Sequence, residues 1–126
     1  MRQKIKWERE AEKLWWRLGA NGSYSGFWPA IYATAKFVED PELIDYVCKG
    51  LYLETAKDCG SSQKCVEKNI RRLKEKIWYY GDREFLAEIF GEKAMEGRAP
   101  ANRAFLDVLA AYLREELEGG AATGRG

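Results

Sequence analysis

The sequence predicts an all-α fold: a compact bundle of about six helices containing a helix-turn-helix. Three observations carry that expectation. Apolar residues recur at three- and four-residue steps along nearly the whole chain, the period of a helix with one buried face. No stretch alternates apolar and polar residues as a half-buried strand does, and no internal repeat is present. Glycines, an Asp-Pro pair and a Ser-Ser pair fall between the periodic stretches, where helix ends are expected. At 126 residues and 46% hydrophobic content the chain makes one domain, expected over residues 1–118 with a flexible tail at 119–126.

The elements follow in order. Over 4–18, Trp7, Ala11, Leu14, Trp15 and Leu18 form a helical stripe that Gly19 ends. Residues 20–26 are rich in Gly, Ser and Asn and read as a loop, after which Trp28, Ile31, Tyr32, Ala35 and Val38 resume the period. Asp40 before Pro41 is an N-cap followed by the residue best suited to the first helical position, so a third helix is expected there, with Leu43, Ile44 and Val47 inward. A kink or short break is expected near Gly50, ahead of Leu51, Tyr52, Leu53 and Ala56. Ser61 and Ser62 are natural N-caps for a long helix carrying Val66, Ile70, Leu73 and Ile77 to Gly81. Asp82 caps a short helix with Phe85, Leu86, Ile89 and Phe90, stopped by Gly91. Residues 92–101 read as a loop, and a last helix over 102–117 turns Phe105, Leu109, Tyr112 and Leu113 inward.

Composition excludes several functions. The chain has no His, so the commonest general base and metal ligand are missing, and Ser-His and Cys-His nucleophile pairs cannot form. Cys48, Cys59 and Cys65 contain no C-x-x-C pair and are odd in number, which builds neither a disulfide framework nor a zinc site. No catalytic residue, metal or cofactor is expected, and the chain does not read as an enzyme. The first twenty residues mix Lys, Arg and Glu with Trp and Leu, and the longest uncharged run, 19–35, is broken by Gly, Ser, Asn and Pro. Neither a signal peptide nor a membrane span fits, so a cytoplasmic protein with reduced thiols is expected.

The informative segment is 51–80. Ala56, Gly60 and Val66 stand in the relation used by helix-turn-helix units: a small residue for close helix approach, a glycine for the turn, and a β-branched plug. An ordinary packed hairpin also accommodates an Ala and a Gly, and charge separates the two readings. Between Ser61 and Gly81 lie six cations, Lys64, Lys68, Arg71, Arg72, Lys74 and Lys76, against Glu67 and Glu75, a net of +4, although the whole chain carries only +1. The compensating acids load other helices: Glu39, Asp40, Glu42, Asp45, Glu54 and Asp58 before the turn, Asp107, Glu115, Glu116 and Glu118 at the end. A basic helix after the turn is placed to meet phosphates and base edges.

At this point the sequence resembles the C-terminal DNA-binding domain of the stage zero sporulation protein A family. The resemblance runs from Leu14 to Glu116 and rests on the order and spacing of Leu18-Gly19, Gly26-Phe27, Ala30-Ile31, Leu51-Tyr52, Ala56-Lys57, Ser61, Val66-Glu67-Lys68, Ile70-Arg71, Trp78, Gly81, Phe90-Gly91, Pro100, Asn102, Phe105 and Leu113-Arg114. It implies a helical domain of roughly six helices whose recognition helix, here 62–80, reads a short box in double-stranded DNA, often as tandem or head-to-tail copies; because one recognition helix reads only a few base pairs, a homodimer is the other expected route to a second copy. Glu67, Lys68 and Arg71 match the family's DNA-facing motif. Helical geometry adds Gln63, Lys64 and Arg72 on neighbouring faces, Lys74 is expected to contact DNA of any sequence alike, and Ser61 and Ser62 at the helix start suit a phosphate. Cys65 stands where the family tends to carry a base, Asn69 where it has a small apolar residue and so calls for a partner in or near the core, and Leu53 where it has a helix-breaking Pro. The receiver that precedes this domain in the family is not among the 126 residues, so receiver phosphorylation is not the expected switch.

Other features have plainer readings. Cys65 near the start of a basic helix suggests a redox-sensing thiol, set against a small residue filling a contact. Gly19, Gly22 and Gly26 suggest a phosphate loop, but no strand precedes them and no Lys-Ser/Thr follows, so no nucleotide site or small-molecule substrate is expected. Trp15-Trp16 and Trp78-Tyr79-Tyr80 suggest base stacking, with core packing as the default. The alternative function, from a different class, is a protein-interaction module of mobile-element or phage type that keeps the fold without reading DNA.

Overall fold

The computed structural model describes residues 2–42 and 50–123, with side chains over 7–42 and 50–116. The described chain runs α1 (Arg2–Leu18), α2 (Phe27–Glu39), α3 (Tyr52–Cys59), α4 (Gln63–Tyr80), α5 (Arg83–Phe90), a 3₁₀ turn (Ala94–Glu96) and α6 (Asn102–Thr123). The expected all-α bundle is present, and no strand occurs among the described residues. The helix expected from Pro41, with Leu43, Ile44 and Val47, lies mostly outside the described residues. Ahead of Leu43 the Asp40 carboxylate accepts the Glu42 N–H at 3.1 Å.

Helix α2 is the hub. Nine of its thirteen residues are buried, as expected for a helix that is apolar nearly all round, and it packs on α1, α3, α4 and α6. Arg114 of α6 donates to the carbonyls of Phe37 at 2.7 Å and Val38 at 3.3 Å, satisfying orphan acceptors at the α2 C-terminus. Between α1 and α2, Trp15 Nε1 donates to Thr34 Oγ1 at 3.0 Å and Thr34 in turn donates to the Ala30 carbonyl, so the one polar atom of a fully buried indole is paired.

The aromatic clusters divide. Trp15 and Trp78 are fully buried and meet on Phe105, with centroid separations of 5.7 and 6.3 Å. Trp16, Tyr79 and Tyr80 remain exposed. Helix α6 continues to Thr123, past the end expected at Leu117 and through part of the expected tail. Ala121 and Ala122 have the highest helix propensity, against a cost of about 1 kcal/mol for each of Gly119 and Gly120. The 92–101 segment is pinned rather than loose: Arg83 donates to the Trp78 and Met95 carbonyls, Trp78 Nε1 donates to the Gly97 carbonyl, and Ala99 N–H donates to the Tyr79 hydroxyl.

Candidate nucleic-acid interface

Helices α3 and α4 and the three residues between them form the expected helix-turn-helix. Gly60 takes the turn at φ +63°, a left-handed conformation that costs glycine little. Ala56 and Val66 are buried where the two helices meet. Ser62 caps α4 by accepting the Cys65 N–H at 3.1 Å, which satisfies one of the helix's free donors. Two ties hold the unit to the bundle. Lys36 of α2 pairs with Asp58 of α3 at 2.6 Å. Asn102 at the start of α6 donates from one amide nitrogen to Tyr52 Oη of α3 at 3.0 Å and to the Glu67 carbonyl of α4 at 3.2 Å, so a single buried side chain spans both helices of the motif.

The residues expected at the interface fall into three groups. Lys64, Lys68 and Arg72 are exposed, and none enters an ion pair among the described residues. Lys76, absent from the expected set, continues their four-residue spacing and is also exposed. Each step of four advances about 40° around the helix, so the four cations wind along one broad stripe. That spacing was readable in the sequence. Gln63 is half-buried beside the start of the stripe, and Ser61 and Ser62 are exposed at its N-terminal end.

Arg71 and Glu67 form the second group. Arg71 Nη1 lies 2.6 and 2.7 Å from the two Glu67 carboxylate oxygens, and this pairing holds the guanidinium pKa above its usual value. Among the described residues only Nη1 is used, so Nη2 and Nε keep their donors for another acceptor.

Lys74 stands apart. It is 3% exposed, and burial pushes its ammonium pKa down, so it is not presented on the stripe where the sequence placed it. The residues Ile70, Leu73 and Ile77 around it all face the core, and a lysine between them packs its stem inward. Asn69, for which a partner near the core was expected, is instead half-buried on the side of α4 toward the 21–26 loop. Cys65 is exposed, and hydrogen bonds from the Ser62 and Ser61 hydroxyls lower its pKa. Cys59 is half-buried, and burial followed by the Asp58 charge raises its pKa. Among the described residues no group of three His, Cys, Asp or Glu could hold a metal ion, and no helix is long and apolar enough to cross a membrane.

A short helix, a glycine turn and a longer helix with exposed cations make a helix-turn-helix. The chain belongs to the family described as Sporulation initiation factor Spo0A C terminal, which it matches over residues 11–113. The match takes in the whole helix-turn-helix and all of the expected interface residues. The family is a family of DNA-binding effector domains concerned with transcription regulation in sporulation.

Proposed function

We propose that this protein binds double-stranded DNA sequence-specifically, with α4 in the major groove, and regulates transcription. The supporting observation is the stripe of Lys64, Lys68 and Arg72, exposed and without ion pairs among the described residues, on the second helix of the motif. The major groove admits a helix of this kind, and unpaired cations there release counterions on meeting phosphates. Ser61, Ser62 and Gln63 approach at the N-terminal end of α4. Arg71, oriented by Glu67, directs its free Nη2 and Nε edge to a guanine, a geometry that rewards a fixed fork. Buried Lys74 has no part in the contact set. One recognition helix reads only a few base pairs, so a second copy arrives as a homodimer or on an adjacent site. Such a protein works in the cytoplasm, on the nucleoid.

Fluorescence-anisotropy titration tests this, using a duplex carrying the family's box and a scrambled duplex, each at two salt concentrations. Box-preferring affinity that falls steeply with salt is expected, and Arg71→Ala should cost about 1–3 kcal/mol on the box while narrowing its preference over the scramble. Weak, indiscriminate binding with a shallow salt slope would overturn the reading in favour of a protein partner.

A further inference from the structure

The 21–26 loop and the second half of α4 enclose a cleft of about 590 Å³, within the range of sites that hold cofactor-sized ligands. Its glycines do not make a phosphate loop. Ser23 N–H and hydroxyl both donate to the Asn21 carboxamide oxygen, Tyr24 N–H donates to the Asn21 carbonyl, and Phe27 N–H donates to the Tyr24 carbonyl. The Ser23 and Tyr24 donors are thus spent on the loop's own shape. Gly26 instead lets the loop lie against α4, since a Cβ there would stand 2.3 Å from the Asn69 carbonyl oxygen.

What lines the cleft is chemically mixed. Arg72 and Lys76 supply two positive charges against the single carboxylate of Glu75. The Lys76 ammonium rests 4.6 Å from the centre of the Tyr24 ring instead of on a carboxylate, which leaves its charge for an anion. Tyr79 and Tyr80 stand at the rim, 46% and 84% exposed, and Tyr79 is oriented by the Ala99 N–H. Exposed tyrosines give a flat apolar face that is costly to leave in water and rewarding to stack on. Arginine and lysine beside them neutralise a phosphate.

We infer that this cleft binds a nucleotide unit, its phosphate on Arg72 and Lys76 and its base against the tyrosines. The unit comes either from a free mononucleotide or from a DNA strand passing beside the recognition helix. The site shares Arg72 with the stripe proposed to meet DNA, so the mononucleotide is first titrated without DNA present.

The test titrates the full chain with deoxyadenosine monophosphate, following backbone amide signals by NMR, with adenosine and inorganic phosphate as half-ligands. Saturable shifts confined to 23–26 and 72–80 are expected, with each half-ligand weaker by about tenfold or more. Tyr80→Ala, a change at an exposed side chain, should weaken the mononucleotide about tenfold, and Lys76→Ala should do likewise. Displacement of the mononucleotide by a long duplex assigns the cleft to a DNA strand, and simultaneous binding assigns it to the free nucleotide. Both outcomes sustain the inference. Absence of saturable shifts at these residues, or affinity unchanged in both variants, overturns it. Loss of box preference with mononucleotide binding intact would count against the DNA reading alone.

Discussion

Gly26→Ala tests whether the 21–26 loop is pressed onto α4 as tightly as its geometry indicates. Gly26 has φ −88°, which alanine adopts readily, so the penalty is one of space. The added Cβ would lie 2.3 Å from the Asn69 carbonyl oxygen, 2.9 Å from its carbon and 3.1 Å from Leu73 Cβ. Reaching even 3.0 Å from that oxygen demands a shift of about 0.7 Å between loop and helix. The obstacle is helical backbone, which yields less than a side-chain tip. Inserting a methyl group into such a contact costs about 1–3 kcal/mol, and the site stands at the upper end. The stiffer unfolded chain returns about 0.4–1 kcal/mol. A net loss near 2 kcal/mol lowers Tm by roughly 6–10 °C for a chain of this size. Thermal unfolding followed by circular dichroism measures it, with Gly22→Ala as the control. There the nearest atom is Phe27 Cδ2 at 3.9 Å, an ordinary contact, and a change within about 0.5 kcal/mol is expected. If Gly26→Ala is as well tolerated as Gly22→Ala, the close approach that forms the cleft is wrong.

Three further outcomes follow from buried or tuned polar groups. Lys74 has a folded pKa below its ordinary 10.5, so the unfolded chain holds the proton more tightly and the charge costs stability at neutral pH. Lys74→Met should therefore raise Tm at pH 7, and its advantage over the parent should shrink as pH climbs through the lowered value toward 10.5. An advantage that is absent, or that grows with pH, refutes that account of the site. Asn102→Ala removes the bridge to Tyr52 and Glu67 and should cost about 1–2 kcal/mol, read by denaturant titration; no change would mean the bridge does not tie the motif together. Iodoacetamide at pH 7 should label Cys65, whose thiolate the Ser62 and Ser61 hydroxyls favour, well before Cys59, with Ser62→Ala slowing it. Equal labelling of the two thiols in peptide mapping would contradict this.

Much of this molecule was legible in the sequence because its signals are local. Ser62 and Asp82 cap α4 and α5 as their residue types suggest, and Gly60 takes the turn. The site was legible only in part. Six cations in α4 identified the helix, but a count cannot say which of them face water. Lys74 shares its side with Leu73 and Ile77 and is buried, whereas Lys76, two residues on, completes the exposed stripe. The Glu67–Arg71 pair sits at i, i+4, a spacing that predisposes to pairing, so that tie was open to discovery. The bridge from Asn102 to Tyr52 spans fifty residues, and no local pattern announces it. The same holds for the cleft, made by a loop lying on a helix more than forty residues downstream.

In the proposed complex the exposed stripe of α4, and not every cation on that helix, meets DNA. Salt titration of duplex binding for Lys68→Ala and Lys74→Met, side by side with the parent, tests it most directly. Lys68→Ala should lower the magnitude of the log–log salt slope by about one counterion, while Lys74→Met leaves both slope and affinity unchanged. A slope that falls for Lys74→Met and holds for Lys68→Ala would put the DNA on a different face of the helix and contradict the account.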